Sequence, residues 1–458
     1  MGDKMNQSYW QKTTRKKTEK VLNENITTDI VIIGGGLAGV SLAYQLKDSP
    51  YRIVVLEKDT MGSHTSGHTT AKLTVLHGLL YQKITKHYDI HQAYLYYRSN
   101  EKALKEIQSI IKKENISCDY QENTSYIYTD DPQYAKDIQE QKKILESLRI
   151  DMVEDNQHLA SIGLKHQAVF HPLKYLFALI QKCQKSGVQF YEHSQVVHIE
   201  RKNKSFTLKV NNHTVTCQYL IHATRYPFIR KGIYFMKLFQ QREYVDYKET
   251  QEGKDSYLCV DQTNSYRPLI HQDSLTIHRD AKDWHAQDSI PLRGIPYIGR
   301  LNQYHQEFII YGFQKWGMTL SQVAARLISD LILERDNPYE NLYSCHYFSI
   351  SSAKQYTQRI MKNITKGYWS QRFQTKSIQS LDVKEGAIVK IDGHLTAVYK
   401  DSQEKLHYFS PYCPHLKCLV HFNKKSQTWD CPCHQSIYDA YGQLMEGPSL
   451  FSLNERQK

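Results

Sequence analysis

The sequence predicts an α/β protein in which a domain with a parallel sheet precedes a small all-β domain. Two stretches carry this prediction: a glycine-rich turn between apolar strands near residue 34, and a group of cysteines and histidines over 413–434. A length of 458 residues is enough for two or three domains. We expect the following segments: a polar basic tail over 1–27, a first domain over 28–344, a basic linker over 345–378 and a second domain over 379–458.

The first domain begins with the order strand, glycine turn, helix, strand and acid. An apolar, β-branched run leads into Gly34, and an amphipathic helix and a second apolar strand follow before Glu57. Gly34 permits the tight turn, Gly36 lets the backbone approach a pyrophosphate, and Gly39 allows close packing of the helix. Glu57 can accept a hydrogen bond from a ribose hydroxyl. The complete arrangement predicts that a dinucleotide binds here, with its pyrophosphate at the helix N-terminus.

The chain after Glu57 resembles FAD-dependent oxidoreductases of the D-amino-acid oxidase and glycine oxidase type. A run of small residues over 62–72 leads into a helix, and in that family such a run passes the flavin phosphates and ring. The segments 295–300 and 311–319 resemble the family's C-terminal flavin loop. The helix that follows would direct its positive N-terminus at the electron-rich pyrimidine edge of the flavin.

This resemblance spans roughly 28–340 and implies FAD as the cofactor. It also implies an FAD-binding Rossmann-like domain of the glutathione-reductase type with an antiparallel-sheet substrate domain. We expect the substrate part to be interleaved over roughly 80–180 and 225–290, with alternating strands over 257–277. Together with the glycine turn, the resemblance assigns FAD contacts to the following residues: Gly34, Gly36, Leu37, Ala38, Gly39, Glu57, Lys58, Ser66, Thr69, Thr70, Val197, Ala223, Thr224, Gly312, Lys315, Trp316, Gly317 and Met318.

The sequence assigns no catalytic residue, because amine oxidation in this family often needs no dedicated base. The sarcosine oxidase branch carries a substrate-binding lysine where this chain has Thr319. Lys315 is the nearby cation that could compensate, and its alternative role is ordinary surface charge. His68 stands near the position at which some related dehydrogenases attach FAD covalently, although a histidine in a phosphate-side loop usually forms only a hydrogen bond.

The second stretch supplies two thiolates and two imidazoles. Cys413 and His415 form one pair, Cys431 and His434 form the other, and fifteen residues separate His415 from Cys431. This is the ligand set of a Rieske [2Fe-2S] centre, in which histidine replaces cysteine on one of the two irons. The alternative from the same residue types is a tetrahedral zinc site, although Cys-x-His is an unusual spacing for zinc.

The stretch over 413–448 resembles a Rieske domain beyond the ligands. Further matches lie at the following positions: 428–430 before the second ligand loop, and Asp439, Gly442 and 447–448 after it. The resemblance implies these assignments: Cys413 and Cys431 on one iron, His415 and His434 on the other, and a disulfide between Cys418 and Cys433.

Four positions near the ligands bear on the rim and the potential of the cluster. The family pattern has glycine where this chain has Lys417 and Gln435, which changes the backbone freedom of the loops and the charge at the exposed rim. Ser436 and Tyr438 occupy positions from which high-potential Rieske domains donate hydrogen bonds to the sulfurs. Such bonds stabilise the reduced cluster, so we expect a potential in the upper part of the family range of about −150 to +300 mV.

The composition is basic, with a net charge of +12 and a pI of about 9.0, which suits an acidic partner, a membrane surface or nucleic acid without choosing among them. No apolar run reaches the roughly 18 residues of a membrane helix, and the N-terminus lacks the apolar core of a signal peptide. Five of the nine cysteines are scattered outside the cluster motif, which suits a reducing compartment. We therefore expect a cytoplasmic protein without a membrane span or a nucleic-acid partner.

The two sites together predict an enzyme in which a flavin oxidises a small substrate, with an amine or amino acid favoured, and a cluster passes electrons singly to an external acceptor. The partner would be a one-electron carrier protein, with an acidic surface as one option. The alternative is an electron-transfer or redox-sensing protein without a small-molecule substrate. We expect neither a Rieske oxygenase, which needs a mononuclear iron domain after the cluster, nor a reductase with a second glycine fingerprint for NAD(P)H.

Overall fold

The computed structural model describes residues 7–15, 18–227, 234, 237–249, 254–260, 264–268, 273–278, 283–301, 306–345, 377–447, 449 and 451–456. Two units divide the chain, the first over 1–225 and 241–347 and the second over 226–240 and 348–458. Nearly all of the predicted basic linker over 345–378 lies outside the described residues.

Nine α-helices lie within these described residues: α1 Tyr9–Lys12, α2 Leu37–Leu46, α3 Thr65–His68, α4 Leu80–His87, α5 Ile90–Lys113, α6 Pro132–Ser147, α7 Pro172–Lys185, α8 Gly317–Ile332 and α9 Glu340–Tyr343. The strands of the first unit are β1 Ile26–Thr27, β2 Ile30–Ile33, β3 Ile53–Leu56, β4 Lys72–Leu73, β5 Gln121–Thr129, β6 Ala160–Val169, β7 Gln189–Tyr191, β8 Val196–Lys202, β9 Ser205–Val210, β10 His213–Cys217, β11 Tyr219–His222, β12 Leu238–Glu249, β13 Ser256–Cys259, β14 Asn264–Pro268, β15 Asp273–His278, β16 Trp284–Pro291, β17 Tyr297–Arg300 and β18 Glu307–Tyr311. Those of the C-terminal part are β19 Glu385–Ile391, β20 His394–Lys400, β21 Leu406–Phe409, β22 His421–Asn423, β23 Thr428–Asp430, β24 Ile437–Asp439 and β25 Leu444–Glu446.

A six-stranded sheet in the order β17-β18-β11-β2-β3-β7 forms the centre of the first unit. Its strands run parallel except β17, which pairs antiparallel with β18. All residues of β2 and β3 are buried, which explains why both strands are continuous apolar runs rather than alternating ones. The glycine turn lies at the carboxyl end of β2, where open α/β sheets bind their ligands.

The second large sheet of this unit has eight strands in the order β16-β12-β15-β14-β13-β5-β6-β4. Most of its pairs are antiparallel, and β13 pairs parallel with β5. The strands predicted over 257–277 belong to this sheet as β13, β14 and β15. A separate four-stranded sheet has the order β1-β10-β9-β8. The predicted α/β fold with an antiparallel-sheet part is thus confirmed.

Residues 7–15 are folded, and the expectation of a polar, basic tail over 1–27 is wrong for them. Ser8 caps α1 by accepting a hydrogen bond from the backbone N–H of Gln11, and the Gln11 side chain accepts from the backbone N–H of Ser8. Trp10 in this helix is only 2% exposed. The lysines that made the segment look solvated lie next to this buried tryptophan, so the average composition of the segment concealed its apolar anchor.

Over residues 377–447, 449 and 451–456, the C-terminal part consists of strands and turns, with a 3-10 turn over Ile378–Ser380. It contains an antiparallel three-stranded sheet, β19-β20-β21, and an antiparallel four-stranded sheet, β22-β23-β24-β25. Trp429 and Tyr438 are fully buried in its core. This confirms the predicted small all-β domain, in which one ligand loop follows β21 and the other follows β23. Across both units, the helices that the structure describes include none that is long and apolar enough to cross a bilayer.

Candidate functional site

In the glycine turn, side chains at Gly34 and Gly39 would collide with the backbone. Gly34 has a φ of +114°, and a Cβ there would lie 2.5 Å from the carbonyl oxygen of Ala223. A Cβ at Gly39 would collide with the carbonyl of Gly34, so the helix packs directly on the turn. At Gly36 the nearest atom to an added Cβ is the hydroxyl of Ser66, at 2.9 Å. The space beside Gly36 is therefore the approach that a pyrophosphate requires.

Ser66 lies at the N-terminus of α2. Its hydroxyl accepts a hydrogen bond of 2.9 Å from the backbone N–H of Leu37, while Gly36 at the N-cap offers no side chain to do so. The first turn of a helix presents backbone N–H groups and a partial positive charge, which bind phosphate oxygens. Because the N–H of Leu37 donates to Ser66, the donors at this point are the Ser66 hydroxyl, which keeps its own proton, and the other N–H groups of the first turn of α2. These donors fit the pyrophosphate of FAD.

Glu57, the acid at the end of β3, is 7% exposed and rigidly held. One carboxylate oxygen accepts from the N–H of Gly35 at 2.8 Å and the other from the N–H of Asp59 at 3.0 Å. Because each carboxylate oxygen has a second lone pair, Glu57 can still accept from a ribose hydroxyl. Lys58 is exposed and its ammonium lies 3.2 Å from the Asp59 carboxylate.

Val197 is the position at which the predicted site and the structure fit least well. Its side chain is 52% exposed, whereas that of its neighbour Val196 is 5% exposed. Three residues earlier, the N–H of Ser194 donates to the carbonyl of Glu57 at 2.8 Å, which keeps this segment beside the end of β3. An adenine contact at Val197 would therefore come from its backbone.

The remaining predicted residues of the turn side lie close to it. Ala223 donates its N–H to the carbonyl of Ile33 at 2.9 Å, and the N–H of Thr224 lies 3.4 Å from the position of a Cβ at Gly34. Thr69 accepts from the N–H of Ala71 at 3.2 Å, and Thr70 beside it is half-buried. Ala38 is buried in the first turn of α2.

The C-terminal flavin loop leads into α8. Gly312 and Lys315 both have positive φ, +83° and +76°. The N–H of Lys315 donates to the carboxylate of Asp288, and its ammonium is paired with Glu243. Desolvation raises the pKa of Asp288 to about 6, although hydrogen bonds from Lys315 and Ser289 act in the opposite direction. Gly317 and the buried Met318 open α8, for which the N-cap residue provides no side-chain cap.

Trp316 connects this loop to residues that the sequence did not single out. Its ring stacks on that of His77 with centroids 4.5 Å apart and planes 14° apart, and the ammonium of Lys72 lies 4.4 Å from its centroid. His77 also lies 3.1 Å from the hydroxyl of Thr319 and 2.8 Å from that of Tyr96. Burial lowers the pKa of His77 to about 3, so its ring is neutral at physiological pH.

The two cluster loops have the same hydrogen-bond pattern. Cys413 donates its N–H to the carbonyl of Cys418 at 2.8 Å, and the N–H of Lys417 returns to the carbonyl of Cys413 at 2.9 Å. In the second loop the N–H of Cys431 donates to the carbonyl of Ser436 at 2.9 Å, and the N–H of Gln435 donates to the carbonyl of Cys431 at 2.8 Å. Each loop therefore has bonds at identical spacings, five and four residues from its first cysteine.

Lys417 and Gln435 occupy matching places in this repeat, and both have a φ of +58°. Glycine adopts that left-handed conformation without steric cost, whereas other residues pay about 1–2 kcal/mol. The chain thus keeps the backbone shape that glycine would give and carries a charged and a polar side chain there, with Lys417 exposed.

The four predicted ligands lie together. Cys413 and Cys431 are both 1% exposed, and their mutual hydrogen bond lowers the pKa of Cys413 and raises that of Cys431. The rings of His415 and His434 lie 4.9 Å apart between centroids, and burial lowers the pKa of His434 to about 4. A thiol that readily loses its proton, as at Cys413, and a neutral imidazole, as at His434, have the protonation states that metal ligation requires.

A disulfide joins Cys418 to Cys433 and so connects the two ligand loops, and the sulfur of Cys431 lies within 4.8 Å of both disulfide sulfurs. Tyr438 places its hydroxyl 3.0 Å from the sulfur of Cys413, and a hydrogen bond from Ser436 also lowers the pKa of Cys413. Ser436 in turn accepts from the N–H of Ser449 at 3.0 Å. These donors fit the sulfurs of a [2Fe-2S] cluster.

Two family models match the chain: an FAD dependent oxidoreductase domain over residues 29–245 and a Rieske [2Fe-2S] domain over residues 374–455. The second match supports an iron-sulfur cluster over the zinc alternative. The putative Rieske 2Fe-2S iron-sulfur protein YhfW of Bacillus subtilis (strain 168) is 29% identical over 98% of this chain and 97% of its own length.

Other similarities cover the flavin part. The gamma-glutamylputrescine oxidoreductase of Escherichia coli (strain K12) is 26% identical over 44% of this chain and 50% of its own length. The crystal structure of glycine oxidase from Geobacillus kaustophilus superposes with a TM-score of 0.60 at 13% identity, covering 71% of this chain and 100% of that one. The chain thus combines an FAD-dependent oxidoreductase domain with a C-terminal Rieske [2Fe-2S] domain.

Proposed function

We propose that this oxidoreductase oxidises a small amine or amino acid and delivers the electrons singly through its Rieske cluster to an external acceptor. The observation that carries the substrate class is the position of Lys72, whose ammonium lies 4.4 Å from the ring centroid of Trp316 in the C-terminal flavin loop. When bound, FAD supplies a hydride acceptor and the cluster a one-electron carrier. The proposal includes the FAD contacts, the cluster ligands and the domain boundaries that the sequence predicts.

Lys72 is suited to bind the carboxylate of an amino acid. It lies in β4 at the edge of the eight-stranded sheet, the part in which this fold binds substrate, and it is half-buried. An ammonium over an aromatic face lies in a medium less polar than water, in which its attraction to a carboxylate is stronger. Lys315, which the sequence offered as a cation that could compensate, is paired with Glu243.

His77 positions Trp316 and does not act as a base. Its Nε2 lies 2.8 Å from the carbonyl oxygen of Thr74, so Nε2 carries the proton and Nδ1 accepts from the hydroxyl of Tyr96. With a pKa lowered to about 3 by burial, the ring stays neutral and stacks on the indole. A fixed Trp316 in turn fixes the start of α8 and the direction in which Lys72 points.

The relatives support the same substrate class. One is named for glycine and another for gamma-glutamylputrescine, both of which contain an amino group and a carboxylate. The proposed transfer to an external electron acceptor rests on the cluster. The net charge of +12 favours an acceptor protein with an acidic surface. The cytoplasmic location remains a prediction, with which the five buried free cysteines outside the cluster motif are compatible.

Anaerobic mixing tests the proposal. The purified protein is mixed with amino acids, with the amines that lack only their carboxylates, and with NAD(P)H, while flavin absorbance and the EPR signal of the reduced cluster are recorded. We expect an amino acid to bleach the flavin and the cluster signal to follow. Reduction only by a protein donor, with no response to any small molecule, would establish the alternative of an electron carrier.

Lys72→Met tests the carboxylate site within the same experiment. We expect the substrate concentration for half-maximal flavin reduction to rise about tenfold or more for the amino acid, because an ionic hydrogen bond is lost. The matched amine without a carboxylate should react as before, and this comparison is the control. Equal losses for both substrates would assign Lys72 to the flavin or to the fold and not to the carboxylate.

A further inference from the structure

The first described residues of the chain contact a loop of the FAD site. The loop runs over 62–71 and includes Ser66, the hydroxyl at the N-terminus of α2. Three side chains of the N-terminal segment donate to three of its carbonyls: Ser8 to Gly67, Trp10 to Thr69 at 2.6 Å, and Gln11 to Ser63 at 3.3 Å. A segment that sequence composition marks as a solvated tail therefore supplies hydrogen-bond donors along most of this loop.

Packing holds the segment in place. Trp10 belongs to a small buried cluster with Ala71, Leu173 and Trp284, and the indole of Trp284 donates to the carbonyl of His68 at 3.1 Å. The ring of Tyr9 stacks on that of Tyr247, with centroids 4.9 Å apart and planes 16° apart.

The far end of the segment is attached to α7 and not to the loop. The hydroxyls of Thr13 and Thr14 lie 3.0 and 2.9 Å from Nε2 of His171, which is the N-cap of α7. The hydrogen bonds of the segment thus form two sets, one from residues 8–11 to the flavin loop and one from residues 13–14 to the helix cap. The ring of Trp10 also packs edge-on against that of His171, with centroids 4.9 Å apart. A substitution can remove one set of hydrogen bonds and leave the other.

The loop is fixed in part by its own short side chains. It consists mostly of glycine, serine, threonine and histidine, and a Cβ at Gly67 would collide with the carbonyl of Gly62. His64 contacts Asp59, and Thr65 donates to the carbonyl of Gln287 at 3.0 Å. The glycines have high conformational entropy when the chain is free. The hydrogen bonds from the N-terminal segment to the carbonyls therefore add to these contacts in holding Ser66 at the helix N-terminus before FAD arrives.

We propose that residues 8–11 form a clasp that fixes the 62–71 loop in the conformation that receives FAD. Ser8, Trp10 and Gln11 are positioning residues in this view, because they act on the loop and not on the cofactor. Without the clasp, part of the binding energy of FAD is used to order the loop. The apparent Kd for FAD then equals the intrinsic Kd divided by the fraction of molecules in which the loop is already correctly placed.

The release of FAD from the purified holoprotein measures this effect. Free-flavin fluorescence after dilution gives the dissociation rate, and titration of the stripped protein with FAD gives Kd. Trp10→Phe keeps an aromatic ring in the buried cluster and removes the donor to Thr69, and we expect about a fivefold weaker Kd. In the double variant Trp10→Phe/Gln11→Ala, the Kd for FAD should be about tenfold weaker or more. The rate of tryptic cleavage after Lys72 should rise from the unmodified protein to Trp10→Phe and again to the double variant.

Thr14→Val is the matched control, because it removes a hydrogen bond of the same segment that does not reach the loop. Its Kd should stay within about twofold of the unmodified protein, a margin within the usual error of additivity. Circular dichroism and the thermal transition of the same samples show whether the flavin unit of each variant is folded. Unchanged FAD release in the double variant, or equal weakening in Thr14→Val, would overturn the clasp. None of these readouts requires a substrate, so they stand apart from the test of amine oxidation.

Discussion

Tyr438→Phe isolates one hydrogen bond to the cluster. The hydroxyl lies 3.0 Å from the sulfur of Cys413, and the ring is fully buried, so phenylalanine fills the same space. A hydrogen bond to a charged group contributes about 1.5–3 kcal/mol. If about half of that depends on the extra electron, the reduced cluster loses roughly 0.7–1.5 kcal/mol. For a one-electron couple, 59 mV corresponds to a tenfold change, so the potential should fall by about 30–65 mV.

A redox titration followed by EPR measures this shift in the whole protein. Tyr441→Phe is the control, because Tyr441 is 47% exposed and its ring packs against Tyr399 and His407 and not against the ligands. Its potential should be unchanged. A potential of Tyr438→Phe equal to that of the unmodified protein, or higher, would refute the argument that this hydroxyl stabilises the reduced state.

Two further predictions concern the separate sites and the strained loops. Gly36→Val places a side chain beside the Ser66 hydroxyl and should abolish bound flavin while the Rieske EPR signal stays. His434→Ala should abolish the EPR signal while flavin stays bound. Loss of both signals in either variant would contradict independent sites. Lys417→Gly should raise the temperature at which cluster absorbance is lost, by a stabilisation of up to about 1 kcal/mol, because relief of the left-handed strain exceeds the added freedom of the unfolded chain. Lys425→Gly, at an exposed position without a positive φ, should give no such gain, and a lower transition temperature for Lys417→Gly would contradict the strain argument.

Local patterns account for what the sequence predicted. The glycine turn is encoded by steric limits that act within a few residues, and the structure shows them directly at Gly34 and Gly39. The cluster ligands are likewise encoded by short loops in which the ligand residues alternate with turn residues. Wherever neighbouring residues set both the geometry and the chemistry, the sequence alone leads to predictions for individual residues.

The residues around Trp316 could not be found in this way. Lys72 lies in β4 and His77 precedes α4, more than two hundred residues before the loop that they contact. Only the pairing of β4 with β6 at the edge of the eight-stranded sheet, and the return of the chain at α8, bring them together. The signal that could have indicated Lys72 was its place as the first cation after the small-residue run.

The two cluster loops show why the missing glycines did not weaken the assignment of the fold. In each loop the fifth residue donates to the carbonyl of the first cysteine, and this bond holds the left-handed backbone at Lys417 and at Gln435. A conformation that costs about 1–2 kcal/mol persists when several surrounding contacts require it, and the disulfide between Cys418 and Cys433 adds one more constraint. The loop conformation therefore does not require glycine at these positions, whereas the predicted cluster ligands have to be cysteine and histidine. Within the two cluster loops the chain accepts this strain beside the ligands, and Lys417 places an exposed positive charge there.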